Sequence, residues 1–441
     1  MTAPLETETH VQREPARRRL PSWLLGSGVI AVAMGVMNVA TYGFTILAAR
    51  LLGPSEYGAL AAVMGLLMVV SVLSLGLQAT GARRVAASPG DLDRIESEVL
   101  AASYRSALVL AVVCLAAVPA ITLALRLDTW LTAALLAVAA LPVTVMGGQG
   151  GILQGERRWL PLAGIYLTTG LGRIAFGAAG LLLWRDSLGA MVGVAVGAFV
   201  PVLVGWAALR HPDRTTGRGP VPKAPRMRSR TSWARGGVFH EVAHNSHALL
   251  AFFALSNADV LIARGVLDDH QAGLYAGGLI LAKAVLFLPQ FVVVVAFPSM
   301  AAAAGTRRAG HLKALGLVLA IGAVATVGAY ALAGLAVTFV GGSAYAELHD
   351  LIWAFAAIGT LLSMIQLMVY GVVARQSQRA VYVLWGALLV LAACAPLLDS
   401  PVALLATVAA VETTVLLVLL VFSLRRRTAT PPADVPGKTT V

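Results

Sequence analysis

Twelve apolar runs follow one another along this chain, each near the roughly 20 residues that a helix needs to cross about 30 Å of hydrocarbon. With 58% hydrophobic residues and a mean hydropathy of +0.81, the chain has more apolar surface than a soluble core could bury. We therefore predict an all-α polytopic membrane protein of about 12 transmembrane helices. The runs are 24–48, 58–80, 106–125, 130–148, 160–183, 187–209, 241–263, 272–298, 314–340, 349–372, 379–397 and 401–424.

The basic residues are distributed unevenly between the two ends of these runs. With twelve crossings, 27 of the 33 Lys and Arg fall in the termini and the connections on one side, and four fall on the other side. Because basic loops are retained in the cytoplasm, this predicts an even number of crossings with both termini cytoplasmic. It also accounts for the formal net charge of +12 without a nucleic-acid partner.

A basic segment rich in proline divides the runs into six and six. We interpret it as a flexible cytoplasmic linker that binds anionic lipid or a glycosyltransferase or polymerase partner, or that serves only to fix the topology. Each half begins and ends inside, so the halves can be parallel repeats. The predicted division is a cytoplasmic tail 1–22, a six-helix bundle 23–209, the linker 210–239, a six-helix bundle 240–424 and a cytoplasmic tail 425–441.

Short motifs in the right order on this map resemble those of bacterial polysaccharide flippases. They are 49–58 (ARLLGPSEYG), 151–158 (GILQGERR), 257–259 (NAD) with 273–276 (GLYA), and 297–298 (FP). The flippases belong to a superfamily that includes multidrug extruders of the MATE type and lipid II flippases. The likeness covers most of residues 20–425.

This resemblance implies two pseudo-symmetric six-helix bundles around a central cavity that opens alternately to each side of a bacterial cell membrane. It implies a transporter, not an enzyme, whose substrate is an oligosaccharide on a polyprenyl diphosphate. A second hypothesis on the same fold is an exporter of cationic or amphipathic drugs, whose site would favour buried carboxylates over cations.

Two cations lie inside the predicted membrane spans, Arg173 in the fifth and Lys283 in the eighth. A charge at mid-helix costs at least about 2.5 kcal/mol on insertion scales, so each needs a reason to be there. In a water-filled cavity both could bind the diphosphate of a lipid-linked substrate. The alternative is that each pairs with a buried carboxylate or reaches towards the membrane surface.

Two carboxylates also lie in spans, Asp259 in the seventh and Glu412 in the twelfth. They are candidates for binding a coupling proton or sodium ion. Asp259 could instead lie at a solvated helix end, and Glu412 could hydrogen-bond within the bundle or pair with one of the cations.

The start of the seventh span is polar, and His244, Asn245 and His247 are candidates to line the inward path of the substrate; the alternative is an interfacial helix start whose histidines bind water or backbone. Asn38 in the first span is a candidate to face the cavity or to hydrogen-bond between helices. The same stretch matches the zinc-protease pattern H-E-x-x-H at His240, Glu241 and His244. Because no further motif supplies a third ligand, we predict no metal site and keep an intramembrane zinc protease only as a minor alternative.

A glycine cluster at 147–151 has neither the preceding strand nor the Gly-Lys-Ser/Thr ending of a nucleotide loop. We therefore predict no cofactor and no ATP on this chain. Transport would be secondary, driven by an ion gradient or by consumption of the product.

Overall fold

The computed structural model describes residues 22–88, 91–210, 238–302, 307–375 and 378–425, and every regular element in these ranges is helical. The 14 α-helices are α1 Ser22–Ala87, α2 Leu92–Ala116, α3 Val118–Ala124, α4 Trp130–Gly155, α5 Trp159–Trp184, α6 Ser187–Gly197, α7 Phe199–Arg210, α8 Val238–Val266, α9 Asp269–Ala302, α10 Arg307–Ala331, α11 Ala333–Val340, α12 Ile352–Arg375, α13 Gln378–Cys394 and α14 Pro401–Arg425.

The helices account for twelve membrane crossings, and the predicted fold class is confirmed. Nine helical stretches of the described chain are long and apolar enough to cross a bilayer, and the first of them, Gly28–Ala87, is 60 residues long. It forms two crossings because it bends at Gly53. The helix α9 and the shorter apolar stretch Val381–Leu397 complete the set.

The bend at Gly53 replaces the open turn expected between the first two spans. Gly53 has φ 72° and ψ 178°, a backbone conformation that residues with a Cβ rarely adopt, and Pro54 follows it. The two arms of α1 therefore meet in one sharp corner with no loop between them.

The third crossing also differs from its predicted bounds of 106–125. It consists of α2 and α3, and α2 begins at Leu92, well before the apolar run. The added turns are amphipathic: Val99 and Ser103 are buried, and Arg94 and Glu98 form an exposed i,i+4 ion pair. Hydropathy alone misses such a segment because its apolar residues occupy only one face.

Helix α1 connects the two halves, α1–α7 and α8–α14. It packs against α4 and α5 in its own half and against α8 and α9 in the other. We call the end of the molecule that carries the connections 49–58, 124–130 and 263–273 the outer face. There the halves touch backbone to backbone: a Cβ built on Gly58 would lie 3.0 Å from the Cα of Gly273.

We expect Gly273→Ala to disrupt this contact, because the new methyl group would overlap the backbone carbonyl of Pro54. Overpacking of this kind costs about 1–3 kcal/mol. Thermal unfolding in detergent should show a lower midpoint than for the wild type. Gly328→Ala is the matched control, since a Cβ there meets open space and alanine favours a helix over glycine by about 1 kcal/mol. Equal midpoints for the two variants would contradict this account of the contact.

Candidate functional site

A cavity of about 90 Å³ lies between the two halves, walled by both arms of α1 and by α5, α8 and α9. Its wall is mixed in character. Hydroxyl groups come from Thr41, Tyr42, Thr45 and Tyr57, and apolar surface comes from side chains such as Phe287. This combination suits a ligand with both polar and apolar parts.

Both cations from the membrane spans, Arg173 on α5 and Lys283 on α9, line this one cavity. Arg173 is 11 residues from the outer end of α5 and Lys283 is 14 residues from the outer end of α9, which places them roughly 16 and 21 Å along their helices. The two halves therefore each contribute one cation at a similar depth.

The Arg173 guanidinium has no hydrogen bond or ion pair to any residue that the structure describes. It is half-buried and points into the cavity. A guanidinium has five N–H donors, and leaving them without a protein partner at this depth is costly unless water or a ligand binds there. Arg173 thus lacks the carboxylate partner considered as its alternative role, within the described part of the chain.

Lys283 is held by its neighbours. Its Nζ donates a hydrogen bond of 2.8 Å to Oδ1 of Asn257, and the amide of Asn257 donates in turn to the Phe253 carbonyl at 2.8 Å. The ammonium charge also interacts with Asp259. Lys283 is therefore oriented towards the cavity by polar groups of α8.

Behind Lys283, three buried polar side chains come together in the second half: Asp259 on α8, Tyr275 on α9 and Glu412 on α14. Each is no more than 2% exposed, and the three interact electrostatically. Asp259 accepts the backbone N–H of Val260 at 2.8 Å. Among the described residues, Oε2 of Glu412 and the Tyr275 hydroxyl have no hydrogen-bond partner, so this cluster has unused capacity to bind a proton or a cation.

Two of the remaining predicted residues, Asn38 and His247, have side chains that the structure describes, and neither lines this cavity. Asn38 is half-buried on α1 and is not part of the cavity wall, and His247 is half-buried on α8. The side chains of His244 and Asn245, and those of His240 and Glu241 from the zinc-protease pattern, lie outside the described residues. In the part of the chain that the structure describes, no group of three or more metal-ligating side chains occurs.

The sequence did not single out Asn257 as the partner of Lys283, nor Tyr275 as a neighbour of Asp259. Asn257 is a polar residue in an apolar run, which is a usable signal, but its contact spans two helices. The hydroxyl groups of Tyr42 and Tyr57 were missed because aromatic residues are common in membrane helices for packing alone.

The comparisons with known proteins agree with this architecture. The family described as "Polysaccharide biosynthesis protein" matches residues 24–304, which is more than half of the chain. The chain belongs to that family. No curated protein matches the sequence.

Among solved structures, the chain resembles two described as a multidrug resistance MATE family transporter of the MOP superfamily, one inward-facing and one outward-facing. The inward-facing state gives a TM-score of 0.63 at 14% identity, covering 89% of this chain and 94% of the other. The outward-facing state gives 0.57 at 15% identity, covering 91% and 95%. These likenesses establish the fold. The family and the fold together support a membrane transporter or flippase.

A third similar structure is a MOP superfamily transporter from Pyrococcus furiosus, described as having a binding pocket of reverse polarity that suggests a different function. Its TM-score is 0.53 at 15% identity, covering 91% of this chain and 95% of that one.

We expect Lys283→Met to destabilise the protein more than Lys283→Met combined with Asp259→Asn. The single change leaves the buried Asp259 carboxylate without its nearby cation, and removing one partner of a buried charge pair costs about 3–5 kcal/mol. The second change removes that uncompensated charge. Thermal unfolding in detergent measures both, and the interaction between Lys283 and Asp259 would be negligible if the double variant were less stable than the single one.

Proposed function

We propose that the protein is a flippase that moves polyprenyl-diphosphate-linked oligosaccharides from the inner to the outer leaflet of a bacterial cell membrane. The observation that carries this proposal is that the Arg173 guanidinium, which has no partner among the described residues, faces the same cavity as Lys283. A diphosphate has several negative charges and many acceptor oxygens, so it matches two cations from opposite walls.

The chemical character of the cavity wall also supports the rest of the proposed substrate. The hydroxyl-bearing wall offers donors and acceptors to sugar hydroxyls, and the polyprenyl chain can remain in lipid between helices. Movement of the first half against the second would expose the head group to each side in turn. In this proposal both termini are cytoplasmic, and the basic segment 210–239 faces anionic lipid or an enzyme of polymer synthesis.

Export of cationic drugs is the second candidate function, and the buried carboxylates Asp259 and Glu412 favour it. These carboxylates, however, lie behind Lys283, whereas the wall of the cavity itself presents cations. A cationic drug would be repelled there, so we assign the carboxylates to coupling. Secondary transport would then use a proton or a sodium ion bound at Asp259 and Glu412.

The cargo is tested with Arg173→Met and Lys283→Met in a strain that lacks the native gene. Each change removes one cation from the diphosphate contact, so we expect at least about a tenfold loss of flipping. Mass spectrometry of lipid extracts should show polyprenyl diphosphate oligosaccharides accumulating, with loss of surface polymer. Arg185→Met is the control, since Arg185 is an exposed arginine at the end of the same helix, outside the cavity. Normal lipid pools in both cavity variants would refute the proposal, and drug sensitivity would point to export.

The coupling assignment is tested with Asp259→Asn and Glu412→Gln in proteoliposomes. We expect the flipping rate to lose its response to an imposed proton or sodium gradient, because the amides cannot bind the ion with a negative charge. Binding of farnesyl diphosphate to the purified variants should persist, which separates coupling from cargo recognition. The exposed Glu347→Gln is the control. An unchanged gradient response in both variants would exclude these carboxylates as the coupling site.

A further inference from the structure

The outer face has four arginines in a position where the charge bias of membrane proteins disfavours them: Arg50, Arg126, Arg185 and Arg264. Three of them cross the interface between the halves. Arg50, Arg126 and Arg264 each donate hydrogen bonds to backbone carbonyls of the opposite half, and we call these three the outer arginines.

Arg126 and Arg264 bind each other's backbone. From the first half, Arg126 donates to the carbonyl of Arg264 through Nη2 at 2.7 Å and Nε at 3.1 Å, and it also reaches the Leu267 carbonyl. From the second half, Arg264 donates through Nε to the Leu125 carbonyl at 2.9 Å and through Nη2 to the Arg126 carbonyl at 3.0 Å. Each arginine side chain binds the backbone of the other arginine's segment. Separating the two halves therefore breaks the hydrogen bonds of both arginines.

The acceptors are carbonyls at the carboxyl ends of helices. Leu125 follows α3, Arg264 is in the last turn of α8, and Leu267 follows α8. Arg50 donates to Thr338 at 2.7 Å, in the last turn of α11. These carbonyls have no partner inside their own helices, and the negative end of the helix dipole attracts a cation. The contact is therefore favourable only while the two halves lie together.

The surroundings balance the charge of the pair. Asp269 lies 2.8 Å from Nη1 of the buried Arg264 and 3.6 Å from Nη2 of Arg126. Asp128 and Glu56 in the neighbouring connections also interact electrostatically with the Arg264 charge. Beside these groups, the Tyr345 hydroxyl donates to the Ala49 carbonyl across the interface at 3.3 Å.

We propose that the outer arginines are a latch that holds the outer face closed and must be released for the protein to open outward. This inference rests on alternating access, which is part of the proposed function. It explains why these arginines remain on the side of the membrane that disfavours them.

The latch is tested by electron paramagnetic resonance distances between spin labels at Leu123→Cys on α3 and Leu335→Cys on α11. Both positions are highly exposed, and the native Cys114 and Cys394 are replaced first. In Arg126→Met and Arg264→Met we expect the ratio of outward-open to closed molecules to rise by about tenfold or more. The double variant should add less than the sum of the two single changes, because the two arginines act as one unit.

Arg185→Met is the matched control for this experiment. Arg185 is exposed on the same face and has a positive φ of 56°, like the 46° of Arg126. Its side chain makes no hydrogen bond or ion pair with the other half among the described residues. For this variant we expect the spin-label distances of the closed state. If its distances shifted as much as those of the Arg126 and Arg264 variants, the positive charge of the outer face, and not the latch, would set the ratio of outward-open to closed molecules.

Two results would overturn the proposal: an unchanged distance distribution in the methionine variants, or outward opening with the Arg126 and Arg264 contacts intact. If the methionine variants do not fold, Arg126→Lys and Arg264→Lys keep the charge but cannot bind two carbonyls at once, and they must show a smaller shift in the same direction. The experiment measures a distance and not transport. Failure of the latch proposal can therefore be distinguished from an error in the proposed substrate.

Discussion

The hydrocarbon of a membrane offers no water to a backbone carbonyl or to a charge, so each such group must find a partner within the protein or lie in a solvated cavity. Helices satisfy the backbone inside each span, which is why every regular element of the described residues is helical. The groups left over are those at helix ends and the few charged side chains. The interface between the halves is built from these leftover groups.

Cations have different roles in two parts of the interface between the halves, the outer face and the cavity. On the outer face, Arg126 and Arg264 each hydrogen-bond to two backbone carbonyls of the opposite half. In the cavity below, Arg173 has no partner among the described residues, and Lys283 has a single amide contact and a nearby carboxylate. A cation that is hydrogen-bonded across the interface stabilises one arrangement of the halves, whereas a cation with few or no protein partners is available to a ligand. Closure and recognition are thus separated along the same interface.

The buried carboxylates connect this interface to the second half. Asp259 interacts with Lys283 on one side and with Tyr275 and Glu412 on the other. A cation bound among these groups would weaken the hold of Asp259 on the Lys283 charge. Binding of the coupling ion could in this way change the affinity of Lys283 for an anionic substrate without a large rearrangement of the protein.

The sequence by itself determined the membrane class, the number of crossings and the list of costly charges, because hydropathy and charge are local properties of the chain. It identified Arg173, Lys283, Asp259 and Glu412 as charged residues whose position inside a membrane span requires a structural or functional explanation. The tertiary structure decided that the two cations share one cavity, that the carboxylates meet behind it, and that Asn38 is not in its wall. It also assigned the outer arginines to the opposite half. All of these contacts join helices that are far apart in the chain. They depend on how each helix is rotated and which helix it packs against. The apolar surfaces of the helices are similar in composition, so the sequence alone does not specify this packing.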